Sequence, residues 1–229
     1  MAAALTPRPR KSQTLPAAAA RADVAKPNTN LAMREDSIRK LSAAAFRLFV
    51  SQGYGATSLN EIAEAAELTK GAIFFYFSSK ENLLLHLLDI VEAKIVNTLI
   101  RHLDEAKGTA PDKIAAFFSH TSQAGIDRPE ELLCLIKVSI EFHNRKDAID
   151  RRTTEIYDRI HRVVASILEE GSARGEIDPA LPVLELASMV IATHDGMMLE
   201  WHRRGATIDG RRLVRTVWST FVRGIVPRS

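Results

Sequence analysis

Residues 57–83 read TSLNEIAEAAELTKGAIFFYFSSKENL, a spacing that describes two short helices joined by a tight turn, with a third helix beginning at once. Ser58 offers its hydroxyl to an orphan backbone N–H, and Glu61, three residues on, can reach back to close a capping box. Leu59, Ile62, Ala63 and Ala66 then form one apolar stripe. Glu67 and Leu68 carry the turn, Thr69 is a second N-cap, and Ile73 and Phe77, four apart, share the inward face of the next helix. Lys70, Gly71, Ala72, Phe75 and Tyr76 are left facing outward, as a helix-turn-helix presents its recognition helix to the major groove. In the run from Phe74 to Phe77, Phe77 and Phe74 are assigned to the core, because so short a helix cannot bury all four aromatics. Ser78 or Ser79, with Glu81, opens a longer helix near Lys80.

Working outward, Arg34 to Gln52 carries Ile38, Leu41, Ala45, Phe46, Leu48 and Phe49 at helical spacing and stops at Gly53. A three-helix unit this small buries little surface alone. It therefore borrows core from the helix after Lys80, with Leu83, Leu84, Leu87, Leu88, Val91 and Ile95, which belongs to both halves of the chain. Breaks at Gly108–Pro111, Gly125–Pro129, Asn144–Asp147, Gly171–Pro182 and Gly205–Gly210 divide the remainder into further helical segments, with no strand pattern. The fold expected is all-α with about nine helices. It divides into a basic arm at 1–33, a DNA-binding unit at 34–80 and a helical dimerisation unit at 81–229. The segment from Val183 to Met198 is apolar on most sides, which buries it in its own core or in a partner's. We read Met197, Trp201, Val217, Trp218 and Phe221 as a self-complementary dimer interface. Closure of the subunit's own core is the alternative.

Composition excludes several classes. The 229 residues are 46% hydrophobic and 26% charged, ordinary for a globular protein. The net charge is +3, yet residues 1–33 hold five bases against one acid, so the rest of the chain is at −1. That Ala- and Pro-rich arm reads as disordered. It either adds phosphate or minor-groove contacts or is an unstructured terminus; a cleaved signal peptide is disfavoured because no apolar h-region precedes AAAARA. The single Cys134 permits no internal disulfide, fits the cytoplasm and lies in an apolar run that suggests an inert thiol. The seven histidines show no metal-ligand spacing, no cofactor fingerprint is present, and neither a nucleophile elbow nor a P-loop supports an enzyme. No segment is apolar enough to span a membrane.

The ordered run of capped helix, turn, K-G, apolar-aromatic stretch and S-K-E-N-L resembles the DNA-binding signature of TetR-type (tetracycline-repressor-like) transcriptional regulators. The resemblance covers about 50 residues and makes Ser58 a cap and phosphate contact and Asn60 a groove-facing side chain. It sets Thr69, Lys70, Ala72 and Phe75 nearest the bases, and implies that Tyr76 and Lys80 grip phosphates. Lys70 can donate to guanine or phosphate, and Phe75 can touch a thymine methyl. Two residues depart from the pattern. Glu67 stands where the turn usually has glycine, and Phe74 where a phosphate-binding tyrosine is common.

The same resemblance implies an effector cavity among the fourth to eighth helices. Its expected lining is Phe117, Phe118, Leu132, Ile136, Ile140, Met189 and Met197, with His120, Lys137, Glu141, His143, Tyr157, His161 and His194 as polar candidates. Together these readings describe a homodimeric repressor released from a palindromic double-stranded DNA operator by a small hydrophobic effector. The alternatives are a helix-turn-helix module controlled by a protein partner and, from another class, a small-molecule enzyme on a helical scaffold.

Overall fold

The structure, a computed structural model, describes residues 29–227. Nine helices and no strand occur among the described residues. The first, α1, runs Thr29–Gln52 and ends where Gly53 turns the chain at φ 89°. It starts five residues before the expected Arg34, so 29–33 are helix rather than arm. Leu31 and Met33 on that extra turn are exposed, so no apolar periodicity marks it, but nothing after Pro27 breaks a helix either. The rest of the expected basic arm lies outside the described residues.

Two short helices follow, α2 at Leu59–Ala65 and α3 at Lys70–Tyr76. Helix α4 begins as Lys80–Val91, passes without a break through a π segment, Glu92–Val96, and continues as Asn97–Glu105. Its cap is Ser79, which accepts from the backbone of Asn82. The remaining helices are α5 Ala110–Asp127, α6 Pro129–Phe142, α7 Ala148–Ala173, α8 Val183–Arg204 and α9 Gly210–Ile225.

Two buried clusters organise these helices. In the first, Leu41 and Phe49 of α1, Ile62 of α2, Ile73 of α3 and Leu83, Leu87 and Val91 of α4 are continuous with Leu133, Val138 and Phe142 of α6. The DNA-reading helices thus complete their core with α4 and α6. Cys134 is part of this cluster, and burial pushes its thiol up to about 12, which keeps it an unreactive S–H. The second cluster joins Leu99 and Leu103 of α4 to Phe117 and Phe118 of α5, Val164 and Leu168 of α7, Val190 of α8 and Phe221 of α9. Helices α5 and α7 meet at Gly171, where a Cβ would come within 2.2 Å of the Ala110 methyl.

Candidate nucleic-acid interface and effector cavity

Local hydrogen bonds fix the angle between α2 and α3. The Glu61 N–H donates to Ser58 Oγ at 3.2 Å while the Ser58 N–H donates to Glu61 Oε2 at 2.7 Å, closing the capping box. At the far end of α2, Glu67 takes φ 57°. Its N–H donates to the Glu64 carbonyl and that of Leu68 to the Ala63 carbonyl, both at 2.9 Å, the pairing of a Schellman turn. Thr69 then caps α3 by accepting from the Ala72 N–H at 3.2 Å. Ile73 and Phe77 point inward and are buried.

Ser58, Asn60, Thr69, Lys70, Gly71 and Phe75 are exposed on the opposite side, with Ala72 and Tyr76 half-buried. A Cβ at Gly71 would meet only Thr69 Oγ1, at 3.9 Å. Nothing inside the subunit requires glycine there, and its bare backbone leaves room for a partner to approach. Phe75 is 80% exposed, and the Tyr76 ring stands edge-on to it with centroids 5.2 Å apart.

Two assignments change. Phe74, expected in the core, is 47% exposed and lies over a shallow groove formed by residues 55–60 and Lys80. Its position was legible: one residue past Ile73 is a rotation of about 100° away from the inward face. Lys80 does not project as a phosphate grip. Its ammonium donates to the carbonyls of Tyr54 and Thr57 at 2.7 Å each and sits 4.2 Å from the centre of the Tyr54 ring. Those carbonyls terminate the loop between α1 and α2, a contact invisible to a reading of neighbouring residues.

The expected effector residues scatter. Phe117, Leu132, Ile136, Tyr157 and His194 converge, with Ile95, Val96, Thr121 and Asp195, around a nearly enclosed cavity of about 30 Å³. The other nine lie elsewhere. His120 stacks on His102 at 4.8 Å and, by burial first and His102 second, titrates below its ordinary value. Lys137 donates to the Val50 carbonyl of α1. Ile140 is 67% exposed, His143 is exposed, Met189 is 45% exposed, and the His161 ring meets Ser188 Oγ at 3.1 Å on the surface. The cavity ends at Ile136, because the last turn of α6 packs through Val138 and Phe142 on the DNA-reading unit. Of the further lining expected, Phe118 packs against Phe221, 6.0 Å between centroids, and Glu141 is half-buried beside Gly55.

The cavity's polar corner consists of Tyr157, Asp195 and His194. The Tyr157 hydroxyl donates to Asp195 Oδ2 at 3.0 Å, and burial, with Asp195 second, raises its pKa well above the ordinary value, so it remains a donor. Asp195 was missed as a side chain; the signal available was its adjacency to His194. The π segment of α4 supplies Ile95 and Val96 to the opposite wall. Its Glu92 is held by Arg152 and Arg159 of α7, which keep its carboxyl below the usual range.

The expected dimer residues also divide. Met197 and Trp201 line a second cavity of about 40 Å³ between α5, α8 and α9. Val217 borders an open groove between α8 and α9 together with Met189, Thr193 and Thr220, and Trp218 is half-buried. Phe221 is 6% exposed, its ring packed in the subunit's second cluster and only its edge bordering the same groove, so most of it serves the fold itself. The side of α8 left open carries Leu184, Glu185, Ser188, Met189, Ala192 and Gly196, small or apolar apart from Glu185.

No described helix is long and apolar enough to cross a membrane, and no group of three or more metal-ligating side chains occurs among the described residues. A family model described as bacterial regulatory proteins, tetR family, matches residues 41–87, and one described as tetracyclin repressor-like, C-terminal domain, matches residues 113–206. The crystal structure of the MbdR regulator from Azoarcus sp. CIB is 34% identical, covers 83% of this chain and 100% of that one, and superposes with a TM-score of 0.77. The fatty acid metabolism regulator protein of Bacillus subtilis is 26% identical over 183 residues, 80% of this chain and 92% of that protein. A structure of FadR from Bacillus subtilis in complex with stearoyl-CoA has the same fold, with a TM-score of 0.68 at 24% identity, over 82% of this chain and 98% of that one.

Proposed function

The chain belongs to the tetR family of bacterial regulatory proteins and is a DNA-binding transcriptional regulator rather than an enzyme; from that premise we propose a homodimeric cytoplasmic repressor, released from a palindromic operator by a small apolar effector. The carrying observation is α3: Ile73 and Phe77 anchor it, and Lys70, Gly71, Phe74 and Phe75 are left on one open face. Lys70 supplies the charge for phosphate or guanine, and the two phenyl rings supply apolar contact to thymine methyls. The open face of α8 beside α9 supports a two-fold partner there, which would set two recognition helices on half-sites about 34–36 Å apart.

The apolar lining of the cavity supports an effector of mostly hydrocarbon character, as does the fatty acid metabolism regulator among the relatives. Helix α4 links the two sites, with Ile95 and Val96 in the cavity wall and Lys80 tied to the loop ahead of the helix-turn-helix. An effector that fits the cavity only when α4 has shifted would favour the conformer mismatched to DNA, by a coupling of about 1–3 kcal/mol. Selection of genomic fragments by the purified protein, followed by titration at several salt concentrations, tests this reading. A palindromic site bound tightly by a dimer supports it. Weak, steeply salt-dependent binding to every fragment would overturn it.

A further inference from the structure

Apart from Thr121, whose hydroxyl donates to the Phe117 carbonyl, the polar groups of the cavity gather at one corner, and that corner holds an unpaired atom. His194 Nδ1 lies 3.0 Å from Asp195 Oδ1, while the other carboxylate oxygen is occupied by the Tyr157 hydroxyl. A carboxylate oxygen accepts from Nδ1–H, and in the imidazole that carries its one ring hydrogen there Nε2 is an acceptor. His194 is 8% exposed, and its Nε2 is buried with no hydrogen-bond partner among the described residues. Buried polar atoms are rarely left unpaired, because each costs roughly what a lost hydrogen bond would. The ring forms part of the wall of both the cavity beside Tyr157 and the one beneath Trp201, with Phe117 edge-on to it at 5.9 Å.

We propose that the effector is an alcohol or phenol, a hydrocarbon body with one hydroxyl whose O–H donates to His194 Nε2. This rests on the reading of the cavity as the effector site, which at about 30 Å³ admits such a body only once α4 has shifted. Asp195 acts as a positioning residue that sets the tautomer, and Tyr157 holds the carboxylate in place. A methyl ether would leave Nε2 unpaired, and a carboxylate would set negative charge against a lone pair backed by Asp195.

The test uses the full chain with 4-propylphenol against 4-propylanisole, followed by Trp fluorescence and by the 15N shift of the His194 ring. The phenol should bind about tenfold or more tighter than its ether. His194→Leu should abolish that preference while still admitting the ether. Asp195→Asn should cancel or reverse it, because an amide N–H facing Nδ1 moves the ring hydrogen to Nε2. Equal affinities in the native protein, or a preference surviving in His194→Leu, overturns the inference and leaves the effector cavity standing. Failure of both probes to bind overturns the cavity reading as well.

Discussion

The ring of Tyr54, in the loop before the helix-turn-helix, stands edge-on to the ring of Phe142 at the end of α6, with centroids 5.0 Å apart. Leu132, Leu135 and Ile136 of the same helix wall the cavity, and its Lys137 holds the Val50 carbonyl. One rigid helix therefore touches both sites. Phe142→Ala removes a ring that is 3% exposed and should cost about 3–5 kcal/mol in urea unfolding. A loss below 1 kcal/mol would show that the aromatic contact does not hold the two units together.

Lys80 and Lys70 should separate structural from DNA-directed charge. Lys80→Ala strands two carbonyls and should lower stability by about 1–3 kcal/mol while leaving the salt dependence of operator binding unchanged. Lys70→Ala should leave stability alone and reduce the salt slope by about 1. The opposite pattern would return Lys80 to the phosphate backbone.

At Glu67 the left-handed turn is made by a residue with a Cβ. Glu67→Gly removes a strain of about 1–2 kcal/mol against the greater chain entropy of glycine when unfolded. Stability should rise, by up to about 1 kcal/mol in thermal unfolding, with operator affinity retained. Destabilisation would mean that the carboxylate makes a compensating interaction.

The dimer surface is best tested on exposed α8. Met189→Glu should yield folded monomers by light scattering and weaken operator binding, since two half-sites are no longer read together. Phe221→Ala, by contrast, should lower the melting temperature through loss of core packing, at a cost of about 3–5 kcal/mol. A Met189→Glu protein that remains dimeric would relocate the interface.

Glu92 gives the fold an acid limb. Its carboxyl is held low first by hydrogen bonding to Arg152 and also to Arg159. A carboxylate whose pKa is lowered on folding adds stability that is complete above its unfolded value, ~4.5, and is lost as pH falls through the lower folded value. Glu92→Gln should therefore flatten the fall in stability below about pH 4.5 and cost about 1 kcal/mol at neutral pH. Equal acid limbs in both proteins would assign that limb to other carboxylates.

The helix-turn-helix was legible because its determinants are local. Ser58 and Glu61 meet within one helical turn, Ile73 and Phe77 lie four apart, and the turn's backbone torsion follows from the pattern around Glu67. Chain spacing alone sets which of these atoms can meet. The beginning of α1 was missed for the converse reason, since an exposed helical turn leaves no apolar signature.

The cavity obeys different physics. Ile136 and Ile140 are equivalent by periodicity, yet one faces the cavity and the other is exposed, because the end of α6 packs on the DNA-reading unit. Lys80, Lys137 and Phe221 read from sequence as groups for DNA, ligand and partner, and each is taken up by an atom distant in the chain. Sequence by itself determined the helices after α1's first turn, the caps of the helix-turn-helix and the outward face of α3 apart from Phe74, all governed by contacts within a few residues. Only the tertiary structure decided which polar groups stay open, because that depends on which helices cross and what their side chains find there.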